Sequence, residues 1–229
     1  VFIADDMLLN PRLNETNILH ELNLTHETAY CKKLSPVQSM GFSWSHLLPS
    51  LKVFGDRKDI QYHKEIPTID RAKQNFLAHQ ISVSNLDWGC FRSFSFRTFR
   101  DKWQLKLFLS AMLYVLKHPT TWKHLPYPMA LSYSDFLVIP QNAIAPFLHL
   151  CGVFAGMKLF VEVAVPTAMI LSCQSIRQEH DNTLKGIEYW TEKEVNQFLL
   201  KYNKQLKVMI DDFPENVLYI HPVKLSQFI

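Results

Sequence analysis

Glycine is scarce in this chain: six in 229 residues, against about 7% in an average protein. No G-x-G-x-x-G turn and no Walker-type loop occurs, which excludes dinucleotide-fingerprint and P-loop chemistry. Cysteine is as sparse. Cys31, Cys90, Cys151 and Cys173 form no C-x-x-C pair and no zinc-ligand spacing, and read as free, buried thiols. Long apolar runs are missing too: stretches such as Cys151 to Met157 and Val163 to Leu171 are too short to cross a bilayer and are bounded by Lys158, Glu162 and Gln174. Nor does one sign of charge dominate. Lys plus Arg at 24 against Asp plus Glu at 21 gives +3, too mild for a polyanionic partner. The alternation of phenylalanine and arginine from Phe91 to Arg100 suits single-stranded nucleic acid, but equally a half-buried strand or packed loop, and the weak net charge argues against nucleic acid. There is no internal repeat, low-complexity tract, initiator methionine or secretory signal. Residue 1 already lies in what reads as a strand, so further residues are expected before it.

What is present suffices for a sizeable core: 48% of residues are apolar and 20% charged, and the length suits one domain. Val1 to Ala4 reads as a strand, Asn14 to Leu24 as a weak helix, and Ala72 to Ser82 and Gln104 to Lys117 as helices. Phe136 to Ile139 reads as a buried strand, followed by a helix over Ala143 to Met157 with Pro146 in its first turn. Pro166 is expected to open a short helix through Leu171. Thr191 and Glu194 form a capping box ahead of a helix from about Glu192 to Lys207, and Val217 to Ile220 makes a last strand. Alternating strands and helices predict an α/β fold.

The first strand ends in Asp5-Asp6. Adjacent carboxylates at the carboxyl end of a strand stand where open α/β sheets bind ligands, and a hard divalent cation takes such oxygens with phosphates completing its shell. An acidic pair there also serves simply to cap the next turn, so a second cluster matters. Leu218-Tyr219-Ile220 delivers His221, Pro222, Val223 and Lys224 just past the last strand. A neutral imidazole can complete a manganese shell begun by carboxylates, and an ammonium three residues on can neutralise a diphosphate. Taken singly, these are ordinary surface groups. Together the clusters describe a metal-diphosphate site in which Asp6 and His221 hold Mn2+ or Mg2+ and Asp5 and Lys224 face the diphosphate. Two side chains sharing a cation must approach within about 6 Å.

These residues carry a family resemblance. VFIADDMLLNP resembles the strand and acidic motif of GT-A fold glycosyltransferases, LSYSDFLVIPQNAIAPFLHLCGVFAGMKLFVEVAVPTAMIL is similar to their acceptor-side half, and YIHPVKLSQF to their closing His-and-Lys segment. The three blocks occur in order over most of the chain. Two departures stand out: the acidic motif reads Ala4-Asp5-Asp6 where the family has Asp-x-Asp, and the strands that grip base and ribose are absent. The resemblance implies a GT-A-like open mixed sheet flanked by helices, truncated at its amino end, as a single catalytic domain over residues 1–229. It also implies transfer of a sugar from a nucleotide-diphosphate donor to a glycan or other hydroxyl acceptor. An inverting transfer needs a carboxylate to take the acceptor proton. Glu162, inside the apolar run Leu159 to Val165, is the first choice; Asp135 is the second, with Ser134 beside it on the acceptor side.

Two alternatives belong to other classes. A degraded transferase fold can serve as a non-catalytic carbohydrate-binding or assembly module, since fold does not fix function. A haloacid dehalogenase-type phosphatase shares the look of ADDMLL and of Met209 to Asn216, but its nucleophilic Asp must precede the acid/base Asp by two positions. With Asp6 as acid/base the nucleophile position is Ala4; with Asp5 as nucleophile the acid/base position is Met7. Without a secretory signal the expected compartment is the cytoplasm, or a membrane periphery. The sequons Asn14-Glu15-Thr16 and Asn23-Leu24-Thr25 would matter in a eukaryotic Golgi lumen.

Overall fold

The structure, a computed structural model, describes residues 1–55, 64–94, 101–119 and 125–228. The aromatic and arginine alternation from Ser95 to Arg100 lies outside them. The chain is mixed α/β with small open sheets. It divides into two compact units: Val1–Lys33, Asp135–Gln141 and Ser175–Ile229 make the first, and Leu34–Ser134 with Asn142–Gln174 the second. Nine short strands are described, β1 (Phe2–Ile3), β2 (Leu8–Leu9), β3 (Thr28–Cys31), β4 (Ser35–Pro36), β5 (Ala130–Leu131), β6 (Phe136–Leu137), β7 (Ser175–Gln178), β8 (Lys185–Glu188) and β9 (Val217–His221).

In the first unit β9 is the centre of a three-stranded sheet, antiparallel to β2 and parallel to β8. Its residues Val217 to Ile220 are all buried, the continuous apolar run expected of a strand covered on both faces. β1 pairs antiparallel with β6, and β3 pairs parallel with β7; a bridge between Tyr30 and Val138 joins the two pairs. Within the β9 sheet, Gly186 lies opposite Tyr219, and a Cβ at 186 would fall inside the Tyr219 ring. The ring crosses that vacant position so that its hydroxyl donates to Glu188 Oε1 at 2.6 Å. Residues 186 and 188 share a face at the two-residue period of a strand. Glu188 Oε2 is paired with the Lys32 ammonium, which burial pushes below its ordinary pKa.

The capping box at Thr191 and Glu194 forms as its spacing predicts and starts the helix Glu192–Lys201. That helix ends before Lys207, because Asn203 and Lys204 take left-handed conformations and the chain restarts as Leu206–Asp211. A straight helix would carry each residue about 1.5 Å further along its axis. The break instead returns Met209 and Phe213 to the cluster of Phe198, Leu199 and Tyr202 against Val217 and Ile220. Near the start of the chain only Ile18–Glu21 is helical, since Asn14 and Asn17 side chains take the local backbone N–H groups and compete with a helix.

The second unit is built on the helix Val161–Ser172, apolar nearly all round and mostly buried. Pro166 does not open this helix. It sits one turn inside, where its missing N–H leaves the Glu162 carbonyl without the usual donor. That carbonyl accepts from the Ser132 backbone N–H at 3.1 Å instead, and the buried Thr167 hydroxyl accepts from Ala130 N–H at 3.0 Å, so β5 docks where the proline opened the ladder. At its far end, Asn75 and His79 bond the Leu171 and Cys173 carbonyls, both side chains coming from the end of the helix Ile69–Ala78. The helix Gln141–Gly156 likewise starts earlier than its proline suggests. Pro146 falls in the second turn, where it and Asn142 are exposed and water is at hand for the freed carbonyl. No helix among the described residues is long and apolar enough to cross a membrane. No disulfide forms among the four cysteines; Cys31, Cys90 and Cys173 are buried and Cys151 is half-buried.

Gly186→Ala should lower stability by about 2 kcal/mol or more in urea unfolding, because a buried ring cannot yield without losing its bond to Glu188. Gly152→Ala, in an exposed helical position with open space around it, should instead raise stability by about 0.5–1 kcal/mol. Burial also raises the Cys151 thiol from its ordinary value to about 11. A raised value means less thiolate at any lower pH, so iodoacetamide labelling of Cys151 should be slow at pH 8 and accelerate up to about 11.

Candidate functional site

Three chain segments meet at one histidine. β1 is held in place by the Ala4 N–H bond to the Asp135 carbonyl at 2.8 Å, and the turn through Asp5 and Asp6 leads into β2, which pairs with Tyr219 and Ile220. The Val223 N–H then donates to the Asp6 carbonyl at 2.6 Å, closing the last segment over the turn. These backbone bonds place Asp6 Oδ1 at 2.7 Å from His221 Nε2. On the other side of the imidazole, Asp135 Oδ2 stands 3.8 Å from Nδ1. His221 is largely buried and the two carboxylates are about a third exposed.

Each ring nitrogen thus faces one carboxylate. The 2.7 Å contact is a hydrogen bond that occupies Nε2, whereas 3.8 Å from Nδ1 to Asp135 is an ion-pair distance, too long for a hydrogen bond. Asp6 and His221 are therefore partners of one another, with Asp135 beside the second ring nitrogen. Among the described residues no group of three or more His, Cys, Asp and Glu side chains is arranged to hold a metal ion. Two protein donors do not make a closed zinc site.

Immediately past His221, which is joined to Pro222 by a cis peptide bond, a cavity of about 450 Å³ opens. Its lining among the described residues includes Pro222, Lys224, Trp190, Asn196 and Gln227 but neither Asp6 nor His221. Lys224 is exposed. Trp190, 73% exposed, is held from both directions. The preceding Tyr189 donates its N–H to the His221 carbonyl at 2.8 Å and packs its ring on Phe198. Trp190 itself donates its N–H to the Glu194 carboxylate at 3.0 Å. Three donors from Trp190 and Thr191 hold Glu194 below its ordinary pKa, the Thr191 hydroxyl contributing most.

Of the residues singled out in the sequence, Asp6, His221 and Asp135 come together, and Lys224 lines the adjoining cavity. Asp5 is exposed in the turn. Ser134 and Glu162 belong to the second unit. There Ser134 Oγ donates to the Ser132 carbonyl at 3.3 Å, and Glu162 is half-buried in the first turn of the helix Val161–Ser172. A carboxylate is favoured in a first turn by the unpaired N–H groups, which accounts for an acid inside an apolar run. Sequence reasoning missed two features: the seat of Asp135 behind the imidazole, and Trp190. The second had a local signal, an aromatic residue directly ahead of a capping box.

The Asp6–His221 bond can be measured directly. A double-mutant cycle with Asp6→Asn and His221→Gln, read by urea unfolding, should give a coupling of about 1 kcal/mol, held to that size by the partial exposure of Asp6.

No protein-family model, curated protein or solved structure matches the chain.

Proposed function

We propose that the chain is catalytic machinery of a metal-assisted glycosyltransferase of GT-A type, transferring a sugar with inversion from a nucleotide-diphosphate donor to a hydroxyl acceptor. The observation that carries this reading is the 2.7 Å contact between Asp6 and His221, 215 positions apart in sequence, Asp6 in the turn between β1 and β2 and His221 at the end of β9. So distant a pair, with a carboxylate behind the imidazole and a lysine-lined cavity beside it, suits a divalent cation bridging protein and diphosphate. Asp6 Oδ1 and His221 Nε2 would hold Mn2+ or Mg2+, which supplies positive charge at the departing diphosphate. Asp135 keeps the imidazole in register. Lys224 adds an ammonium for the diphosphate, Asp5 borders the same turn, and Trp190 offers a face on which a sugar or base can stack.

Inversion requires the acceptor hydroxyl to attack opposite the leaving group and to give its proton to a carboxylate. Glu162, a carboxylate inside an apolar run, is the preferred base and Asp135 the second choice, with Ser134 assigned to the acceptor. The exposed Trp190 beside its cavity also favours a second reading, a carbohydrate-binding module without turnover.

Turnover separates the two readings. Incubation with nucleotide sugars and a hydroxyl acceptor should release nucleotide diphosphate only when manganese or magnesium is added. Asp6→Asn and Lys224→Ala should each reduce release by roughly 10²-fold or more. Glu162→Gln should bind donor yet not transfer, since an amide keeps the size but cannot take a proton. Saccharide binding with no nucleotide release, in the chain or in a longer form carrying the donor-binding strands, would favour the module.

A further inference from the structure

The helix Lys102–Lys117 presents an apolar face outward. Its inner face carries the buried Ala111 and Tyr114. On the opposite side, where a surface helix is ordinarily polar, stand Leu105, Leu109, Leu113 and Leu116, exposed by 38, 52, 57 and 70%. At about 100° per residue these four fall within an arc of about 80°. A stripe of four half-exposed leucines is not the scatter of single apolar residues that any surface shows.

The charges identify what covers it. Lys102, Lys106 and Lys117 run along one edge of the stripe, and residues 102 to 117 contain no Asp or Glu. The nearest carboxylate in sequence, Asp101, is occupied as the helix cap, accepting from Trp103 N–H at 2.8 Å. Trp103, 55% exposed, lies in the first turn with the Lys106 ammonium 5.9 Å from its ring centroid, and Lys52 joins them around a small cavity. A second copy of the chain docked on this face would set lysine against lysine with no acid to pair. An anionic surface with an apolar interior satisfies leucines and lysines together.

We infer that the helix Lys102–Lys117 is a membrane-surface element that lies in the plane of an anionic lipid leaflet, its leucines in the acyl boundary and its lysines at the headgroups. Sixteen residues extend about 24 Å, less than a bilayer core, and the lysines bar a spanning orientation. The net charge of +3 is small, so the attraction comes from this helix and not from the chain as a whole. The inference stands apart from the glycosyltransferase reading and needs no turnover for its test.

The experiment is co-sedimentation of the whole chain with vesicles of phosphatidylcholine alone and of phosphatidylcholine mixed with phosphatidylserine. Binding to the mixed vesicles is expected, and it should weaken as salt is raised. At about fivefold per lysine, neutral vesicles should bind on the order of 10²-fold less. Leu109→Ser combined with Leu113→Ser should abolish binding while leaving the far-ultraviolet spectrum and thermal midpoint unchanged, since both side chains are exposed. Lys102→Gln, Lys106→Gln and Lys117→Gln together should bring mixed-vesicle binding down to the neutral level. Absence of binding to the mixed vesicles, or binding indifferent to the leucine pair, would overturn the inference. So would a dimer in sedimentation equilibrium that the leucine pair dissociates, since the face would then be a protein interface.

Discussion

Strand β9 owes its place to a missing side chain. The Tyr219 ring occupies the space that any Cβ at residue 186 would take, and from there it reaches Glu188 and stacks near Phe136 at 5.5 Å. Tyr219 and His221 are two residues apart on one strand and so point to the same face. A slip of one residue would turn both away, and the imidazole would leave Asp6 and Asp135. The position of His221 therefore depends on a packing event among Gly186, Tyr219 and Glu188. In a chain with six glycines, one placed under an aromatic ring carries unusual structural weight.

The second unit shows the same economy with proline. Pro166 interrupts the hydrogen-bond ladder of the buried helix, and the carbonyl it frees belongs to Glu162, which the Ser132 backbone takes up. Replacing that proline would restore a donor inside the helix and set it in competition with Ser132. Glu162 is thus tied by its backbone to β5 while its side chain stands in the first turn.

Local chemistry was readable in the sequence wherever local chemistry decides. The capping box at Thr191 and Glu194 and the helix ending at Lys117 rest on interactions within a few residues, and they appear where the pattern puts them; the strand at Val217 was legible from its continuous apolar run, although its partners are distant. The prolines misled, because a proline inside a helix is acceptable only when something distant or solvent satisfies the freed carbonyl, and Ser132 is 30 positions from Glu162. The break at Asn203 and Lys204 was hidden for a similar reason: the benefit lies in returning Met209 and Phe213 to a shared cluster. At the site, residue types and strand ends pointed to Asp6 and His221, while the position of Asp135 behind the imidazole depends on the Ala4 backbone bond, which no spacing encodes.

The pairing of β2 with β9 also sets an order of events during synthesis. Leu8 and Leu9 are made some two hundred residues before their partners Tyr219 and Ile220. At about 5 to 20 residues per second, that interval is roughly 10 to 40 s. Throughout it the leading segment has no strand to pair with, and Asp6 has no imidazole. The contact between Asp6 and His221 therefore closes only once β9 has emerged, however long its first half has been waiting.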